Sequence, residues 1–139
     1  MKERSKRGRR FMIPPELRRP EGWLRFLQTS TFKSDWKDLA LCDEHLRDLE
    51  ITILKQPQGP PVVAGTAGLR KIRFAPHDWR TGKSGAIRVG YTCFPTAGLV
   101  ALLVAYQKGE KDDLTPDEKR QIRELIGEIQ KDIEKGKVR

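Results

Sequence analysis

Three positive charges fall within four residues of the chain, at Arg70, Lys71 and Arg73. They belong to the segment Leu69 to Ala75, which has the composition of a β-strand. A strand that also fills a core does not normally carry so much charge. A partner with dense negative charge would explain it, and the commonest such partner is the backbone of a nucleic acid. The segment therefore predicts a phosphate-binding surface.

Further basic and aromatic residues fall on the neighbouring predicted strands. Because side chains alternate along a strand, Lys71 and Arg73 share one face and Arg70 lies on the other. Arg88 points away from the apolar positions of the next strand. Sequential strands usually lie side by side. Five residues are then expected to converge on one concave patch, namely Lys71, Arg73, Arg88, Tyr106 and Lys108.

Such a patch suits RNA cleavage by internal attack, in which the 2′-hydroxyl attacks the adjacent phosphate. The phosphorane that forms carries extra negative charge, so fixed cations stabilise it more than the ground state. The reaction also needs a base and an acid, and Lys71, Tyr106 and Lys108 are the titratable candidates. Tyr106 is alternatively a stacking platform for a base. The sequence leaves the assignment of base and acid open.

A second set of residues is expected to bind RNA around this patch: Arg70, Arg80, Lys83, Tyr91 and Lys111. The alternative for any one basic residue is an ordinary solvated face, and Tyr91 also fits a core position. His45 is expected on the surface of a helix, while His77 lies in a loop from which it would assist catalysis. The two histidines and two cysteines lack ligand spacing, so neither a metal site nor a cofactor is expected.

Charge is distributed unevenly along the 139 residues, which are expected to form one domain. The formal net charge is +9, and residues 1–12 and 69–91 each contribute +5. Residues 1–20 are basic and contain three prolines, so we expect a poorly ordered extension before a single domain over residues 21–139. The distant cysteines, Cys42 and Cys93, favour a reducing compartment. The sequence shows neither a membrane span nor an export signal, which favours the cytoplasm.

The hydrophobic pattern predicts the order β-α-α-β-β-β-α. The first strand is expected at Trp23 to Leu27. Ser30 or Thr31 would cap the first helix, and Asp43 the second. The remaining predicted elements are strands at 69–75, 86–94 and 99–108, with a hairpin turn at 95–98, and a last helix capped by Thr115. The result is an α+β fold with a mostly antiparallel, twisted sheet packed against helices.

Three segments together resemble the RelE/ParE superfamily, and within it the HigB-type toxins and related phage-derived proteins. They are Gly65 to Arg73, Ser84 to Tyr91 and Leu102 to Thr115. The resemblance runs from about Leu24 to Ile133 and implies a RelE-like fold. Departures are Ala67-Gly68 in place of Gly-Gly, Trp79 in the loop Pro76 to Lys83, a single Tyr91 in place of a tyrosine pair, and the basic extension.

The resemblance implies the toxin of a type II toxin–antitoxin pair. Its HigB- and RelE-type members are metal-independent endoribonucleases that cleave mRNA in the ribosomal A site and so inhibit translation. Lys71, Arg73, Arg88, Tyr106 and Lys108 match the family's site positions. The implied partners are a cognate antitoxin, mRNA and the ribosome. Two alternatives remain: a ParE-like toxin that binds and poisons DNA gyrase, and a nucleic-acid-binding module without catalysis.

Overall fold

The computed structural model describes residues 24–78, 86–107 and 113–137. In these ranges the chain forms four strands and three α-helices, in the predicted order. The strands are β1 (Arg25–Gln28), β2 (Arg70–Phe74), β3 (Ile87–Phe94) and β4 (Leu99–Gln107). The helices are α1 (Ser30–Asp38), α2 (Asp43–Lys55) and α3 (Pro116–Glu134). The predicted α+β class is confirmed.

The four strands form a single mixed sheet in the order β1-β4-β3-β2. β4 pairs antiparallel with β3, and β3 antiparallel with β2. β1 instead lies parallel to β4, starting at Arg25 opposite Leu99. The expected antiparallel pairing is present in two of the three strand pairs, and the β1–β4 pair is the exception.

Each face of the sheet is covered by helix. One face packs on α1 and α2 around Phe32, Leu49 and Tyr91. The other packs on α3, whose Ile122, Ile126 and Ile129 are buried. β3 and β4 are consequently buried on both faces, which explains the long apolar run in β4. The face toward α3 is called the α3 face below.

The predicted turn between β3 and β4 is present as a short 3₁₀ helix, Pro95–Ala97. Gly98 ends it in the left-handed region, with φ of 63°. Glycine adopts this conformation without steric cost, so the reversal fits Gly98. The turn is what makes β3 and β4 antiparallel neighbours.

The helix starts agree with the sequence at α3 and differ at α1 and α2. Thr115 caps α3 and forms the predicted capping box with Glu118. At α1 the cap is Thr29, rather than Ser30 or Thr31, because its hydroxyl accepts the Phe32 amide at 3.0 Å. At α2 the cap is Cys42 rather than Asp43, because the His45 side chain accepts the Cys42 amide and completes a capping box.

A β-bulge interrupts the pairing of β3 with β4. Gly90 pairs with Val104 while Tyr91 pairs with Leu102, so Leu103 has no partner on β3. The Leu103 carbonyl instead accepts the Thr29 hydroxyl at 3.0 Å. The extra residue reverses the alternation of β4, and both Leu103 and Val104 pack on the α3 side.

Candidate functional site

Three of the predicted site residues stand in a row across the sheet. Arg73 on β2 pairs with Arg88 on β3, and Arg88 pairs with Tyr106 on β4. Directly opposed residues in antiparallel strands have Cα atoms about 4.5–5.5 Å apart. The flanking residues Ile72 and Val89 pack on the α1 and α2 side, so the row lies on the α3 face. We call Arg73, Arg88 and Tyr106 the cross-strand row.

The bulge in β4 is what brings Tyr106 into this row. Leu99 and Leu103 lie on the α3 face, and strict alternation from them would turn Tyr106 to the opposite face. Because the bulge adds one residue, Ala105 packs with the α1 and α2 core and Tyr106 with the α3 core. The convergence that the sequence predicts therefore depends on an irregularity that the sequence does not signal.

The two arginines of the row differ in exposure. Arg73 is exposed, whereas Arg88 is only 9% exposed and donates a 3.3 Å hydrogen bond to the Ala86 carbonyl. Within the described ranges neither guanidinium forms an ion pair with a carboxylate. A buried cation without a counter-charge is costly, and an arriving anion reduces that cost. The row is therefore electrostatically suited to a phosphate.

Tyr106 is 8% exposed and packs within the α3 core with Leu114 and Ile122. Little of its ring is therefore open for a nucleobase to stack on. Its backbone lies opposite Arg88 on the neighbouring strand. The burial of the ring argues against the stacking platform.

Lys71 lies on the same face as Arg73 and forms an ion pair with Asp113, just before α3. The Lys71 Nζ is 3.1 Å from an Asp113 carboxylate oxygen. The Leu114 amide and then Lys71 hold the pKa of Asp113 below its ordinary value. The Lys71 side chain is 28% exposed, so its charge remains within reach of a ligand at the rim of the row.

Arg70 and Tyr91 lie on the face opposite the row, and their contacts are structural. Arg70 donates to the backbone carbonyls of Gln58 and Pro60. Tyr91 is fully buried, and its hydroxyl donates to the Pro57 carbonyl at 2.9 Å. Burial is the main cause that raises the pKa of Tyr91 to about 12. Both residues hold the loop before β2, and neither joins the predicted patch.

The histidines also lie away from the row. His45, expected on the surface, is 7% exposed and is held between the Cys42 amide and Asp78. The sequence expectation was wrong here because Asp78 is 33 residues distant and supplies the buried ring with a polar partner. His77 contacts Asp48 of α2 at 2.9 Å, on the α1 and α2 side, which places it apart from the row.

Four predicted residues lie outside the described residues: Arg80, Lys83, Lys108 and Lys111. The predicted extension at 1–20 also lies outside them. In the described ranges no group of three or more histidine, cysteine or acidic residues is arranged to hold a metal ion. No helix in the same ranges is long and apolar enough to cross a membrane.

Sequence reasoning missed one cluster, formed by Cys42, His45 and Asp78. Cys42 and His45 are three residues apart, which is the spacing of a capping box, and this spacing was the sequence feature that could have indicated their contact. The third residue, Asp78, is distant in sequence and lies next to His45 only in the folded chain. No known protein-family model matches the chain.

Proposed function

We propose that this chain is the toxin of a type II toxin–antitoxin pair, with a RelE-like fold, and that it cleaves mRNA on the ribosome. The observation that carries the proposal is the cross-strand row. Arg73 and Arg88 occupy paired positions on adjacent strands, with no carboxylate partner among the described residues. Arginine binds phosphate oxygens in bidentate fashion, so two arginines at paired positions suit a phosphodiester ligand.

The chemistry we assign is attack of the 2′-hydroxyl on the adjacent phosphate, which gives a cyclic phosphate and a free 5′-hydroxyl. The oxygen–phosphorus bond to the 2′ oxygen forms as the bond to the 5′ oxygen breaks. Negative charge on the phosphorane rises during this step. Cations that are already fixed by a sheet stabilise that charge without reorganising, which favours the transition state over the substrate.

Each residue of the row receives a distinct role. Arg73, which is exposed, contacts the scissile phosphate. Arg88, which is paired with it on the neighbouring strand, stabilises the negative charge that develops on the phosphorane. Tyr106 positions Arg88 from β4. Lys71 is a candidate for proton transfer once a ligand competes with Asp113 for its ammonium group, and Lys108 remains the second candidate.

The element order supports a RelE-like topology. The chain follows β-α-α-β-β-β-α, and the three segments that carry the resemblance lie at β2, at β3 and from β4 to the start of α3. These segments supply Arg73, Arg88 and Tyr106 respectively. All three residues of the row therefore lie in segments that carry the resemblance.

The proposed setting follows from the activity. The substrate is mRNA in the ribosomal A site, and the compartment is the cytoplasm. A cognate antitoxin would keep the enzyme inactive until it is removed. An acidic segment that covers the row would be complementary to Arg73 and Lys71 and would block access of phosphate.

The test is primer extension on mRNA translated in the presence of the full-length protein. We expect discrete cuts whose frequency falls roughly 10²–10³-fold in Arg73→Ala and in Arg88→Ala, the usual effect of removing one oxyanion donor. Arg47→Ala is the matched control, because Arg47 is an exposed cation on α2, across the sheet from the row.

Two outcomes would reject the proposal. Intact mRNA with DNA breaks or lost supercoiling would identify a gyrase poison instead. Equal cleavage by wild type, Arg73→Ala and Arg88→Ala would show that the nuclease activity does not depend on the cross-strand row. Growth arrest on expression without antitoxin, relieved in both arginine variants, is the expected result in cells.

A further inference from the structure

A thiol, an imidazole and a carboxylate are aligned at the start of α2, on the side of the sheet opposite the cross-strand row. The Cys42 Sγ lies 3.4 Å from His45 Nδ1, and His45 Nε2 lies 2.9 Å from Asp78 Oδ1. The nucleophile is within reach of a base, and the base is oriented by a third group. We call these three residues the thiol relay.

The hydrogen bonds define the tautomer of His45. The Cys42 backbone amide donates to Nδ1 at 3.1 Å, so Nδ1 carries the lone pair. Nε2 therefore carries the hydrogen and donates it to Asp78. That lone pair accepts the Cys42 amide, and the Cys42 Sγ lies 3.4 Å from the same nitrogen, so the thiol and the amide compete for one acceptor.

Asp78 places a carboxylate against the side of the His45 ring that faces away from the thiol. The hydrogen bond from His45 holds the pKa of Asp78 below its ordinary value, so the carboxylate is charged at neutral pH. Among the residues that the structure describes, His77 also lies beside His45, with its ring centroid 6.2 Å away, and it is itself held by Asp48. His45 is buried while Cys42 is exposed, so the base is shielded and the thiol is accessible.

The second cysteine provides an internal comparison. Cys93 is half-buried, and its thiol donates to the Pro57 carbonyl at 3.2 Å. A carbonyl cannot accept a proton in the way that an imidazole does. The two thiols of one chain thus differ in both access and activation.

We propose that Cys42 is a modification site that reacts with low-molecular-weight disulfides, activated by His45 and Asp78. The thiol proton passes to His45 Nδ1, which then releases its hydrogen bond from the Cys42 amide, and the thiolate attacks one sulfur of the disulfide. The disulfide bond breaks, and the departing thiolate takes the proton from His45. One thiol and one disulfide give one mixed disulfide and one thiol, so no further oxidant is needed.

The experiment uses the full-length reduced protein and oxidised glutathione at neutral pH, with the glutathionylated peptide identified by mass spectrometry. An ordinary cysteine thiol is only a few per cent ionised at neutral pH. We therefore expect Cys42 to react about tenfold faster than Cys93, and about tenfold faster than Cys42 in His45→Gln.

His45→Gln is the informative variant, because glutamine at this position of a capping box still accepts the Cys42 amide but cannot take up a proton. If His45 only caps the helix, the rate will stay within about twofold of wild type, and the proposal fails. Equal rates at Cys42 and Cys93 would also overturn it.

Asp78→Asn keeps the test decisive if His45→Gln does not fold. The side chain of Asp78 is 57% exposed, so the change leaves the core untouched. Asparagine accepts the Nε2 hydrogen but carries no charge, so the reaction at Cys42 should slow severalfold. An unchanged rate in a folded Asp78→Asn protein would show that the Asp78 carboxylate plays no part in the reaction at Cys42, which would contradict the proposal.

Discussion

Replacing Tyr91 with phenylalanine should lower the free energy of unfolding at neutral pH and raise it, relative to wild type, in strong alkali. The hydroxyl donates to the Pro57 carbonyl at 2.9 Å, and the Cys93 thiol donates to the same carbonyl at 3.2 Å. The carbonyl therefore keeps a partner in the variant. The loss at pH 7 should be that of one neutral hydrogen bond, about 1 kcal/mol.

The alkaline part follows from the raised pKa of Tyr91. The pKa is about 12 in the folded chain against an ordinary value of 10.0, mainly because burial disfavours the phenolate. A raised folded pKa gives stability that is complete below the unfolded pKa and is lost as pH rises toward the folded one. At pH 11, about 1–2 kcal/mol should be lost from wild type and none of it from Tyr91→Phe.

The two contributions oppose each other, so the difference between the proteins should vanish between about pH 10 and pH 11 and change sign in stronger alkali. Urea unfolding of both proteins at pH 7, 10 and 11 measures this difference, and the titrating groups that do not interact with Tyr91 cancel in the comparison. A deficit in Tyr91→Phe that is the same at pH 7 and pH 11 would refute the assignment of Tyr91 as a buried hydrogen-bonded core residue.

Two further predictions concern the residues around the cross-strand row. Gly90→Ala should cost about 1–3 kcal/mol in urea unfolding, because its Cβ would lie 2.9 Å from Val104 Cγ2 and 3.0 Å from Leu69 Cδ1. Adding Val104→Ala should recover part of this loss, and no recovery would contradict the clash. Asp113→Asn should destabilise the protein at pH 7. The pKa of the Asp113 carboxyl is lowered in the folded chain, so the carboxylate contributes stability above the ordinary value of 3.8, and this stability is lost as the pH falls below it. The difference from wild type should shrink by pH 3, and a constant difference would argue against the Lys71 ion pair.

The sequence predicted best where the determining interactions are local. The capping box of Thr115 and Glu118 lies within four residues, and α3 begins where it indicates. Alternation within β2 and β3 placed Arg73 and Arg88 on one face, and their register now places them side by side. These signals need no knowledge of the rest of the chain.

The predictions failed where distant segments decide the outcome. His45 is buried because Asp78 reaches it from the loop after β2. Cys42 caps α2 because that same histidine accepts its amide, a role the side-chain preferences of caps do not suggest. The parallel pairing of β1 with β4 joins residues more than 70 positions apart, and no local pattern encodes it.

The bulge at Leu103 has a consequence for how β4 tolerates change. Residues before it, from Leu99 to Leu102, pair with both β1 and β3 and fill the interior. Residues after it set the orientation of Tyr106. Replacing the apolar side chains of the first half with other apolar side chains leaves that orientation intact. Inserting or deleting one residue there would instead turn each side chain of the second half to the opposite face of the sheet. The length of this strand is thus under tighter constraint than its composition.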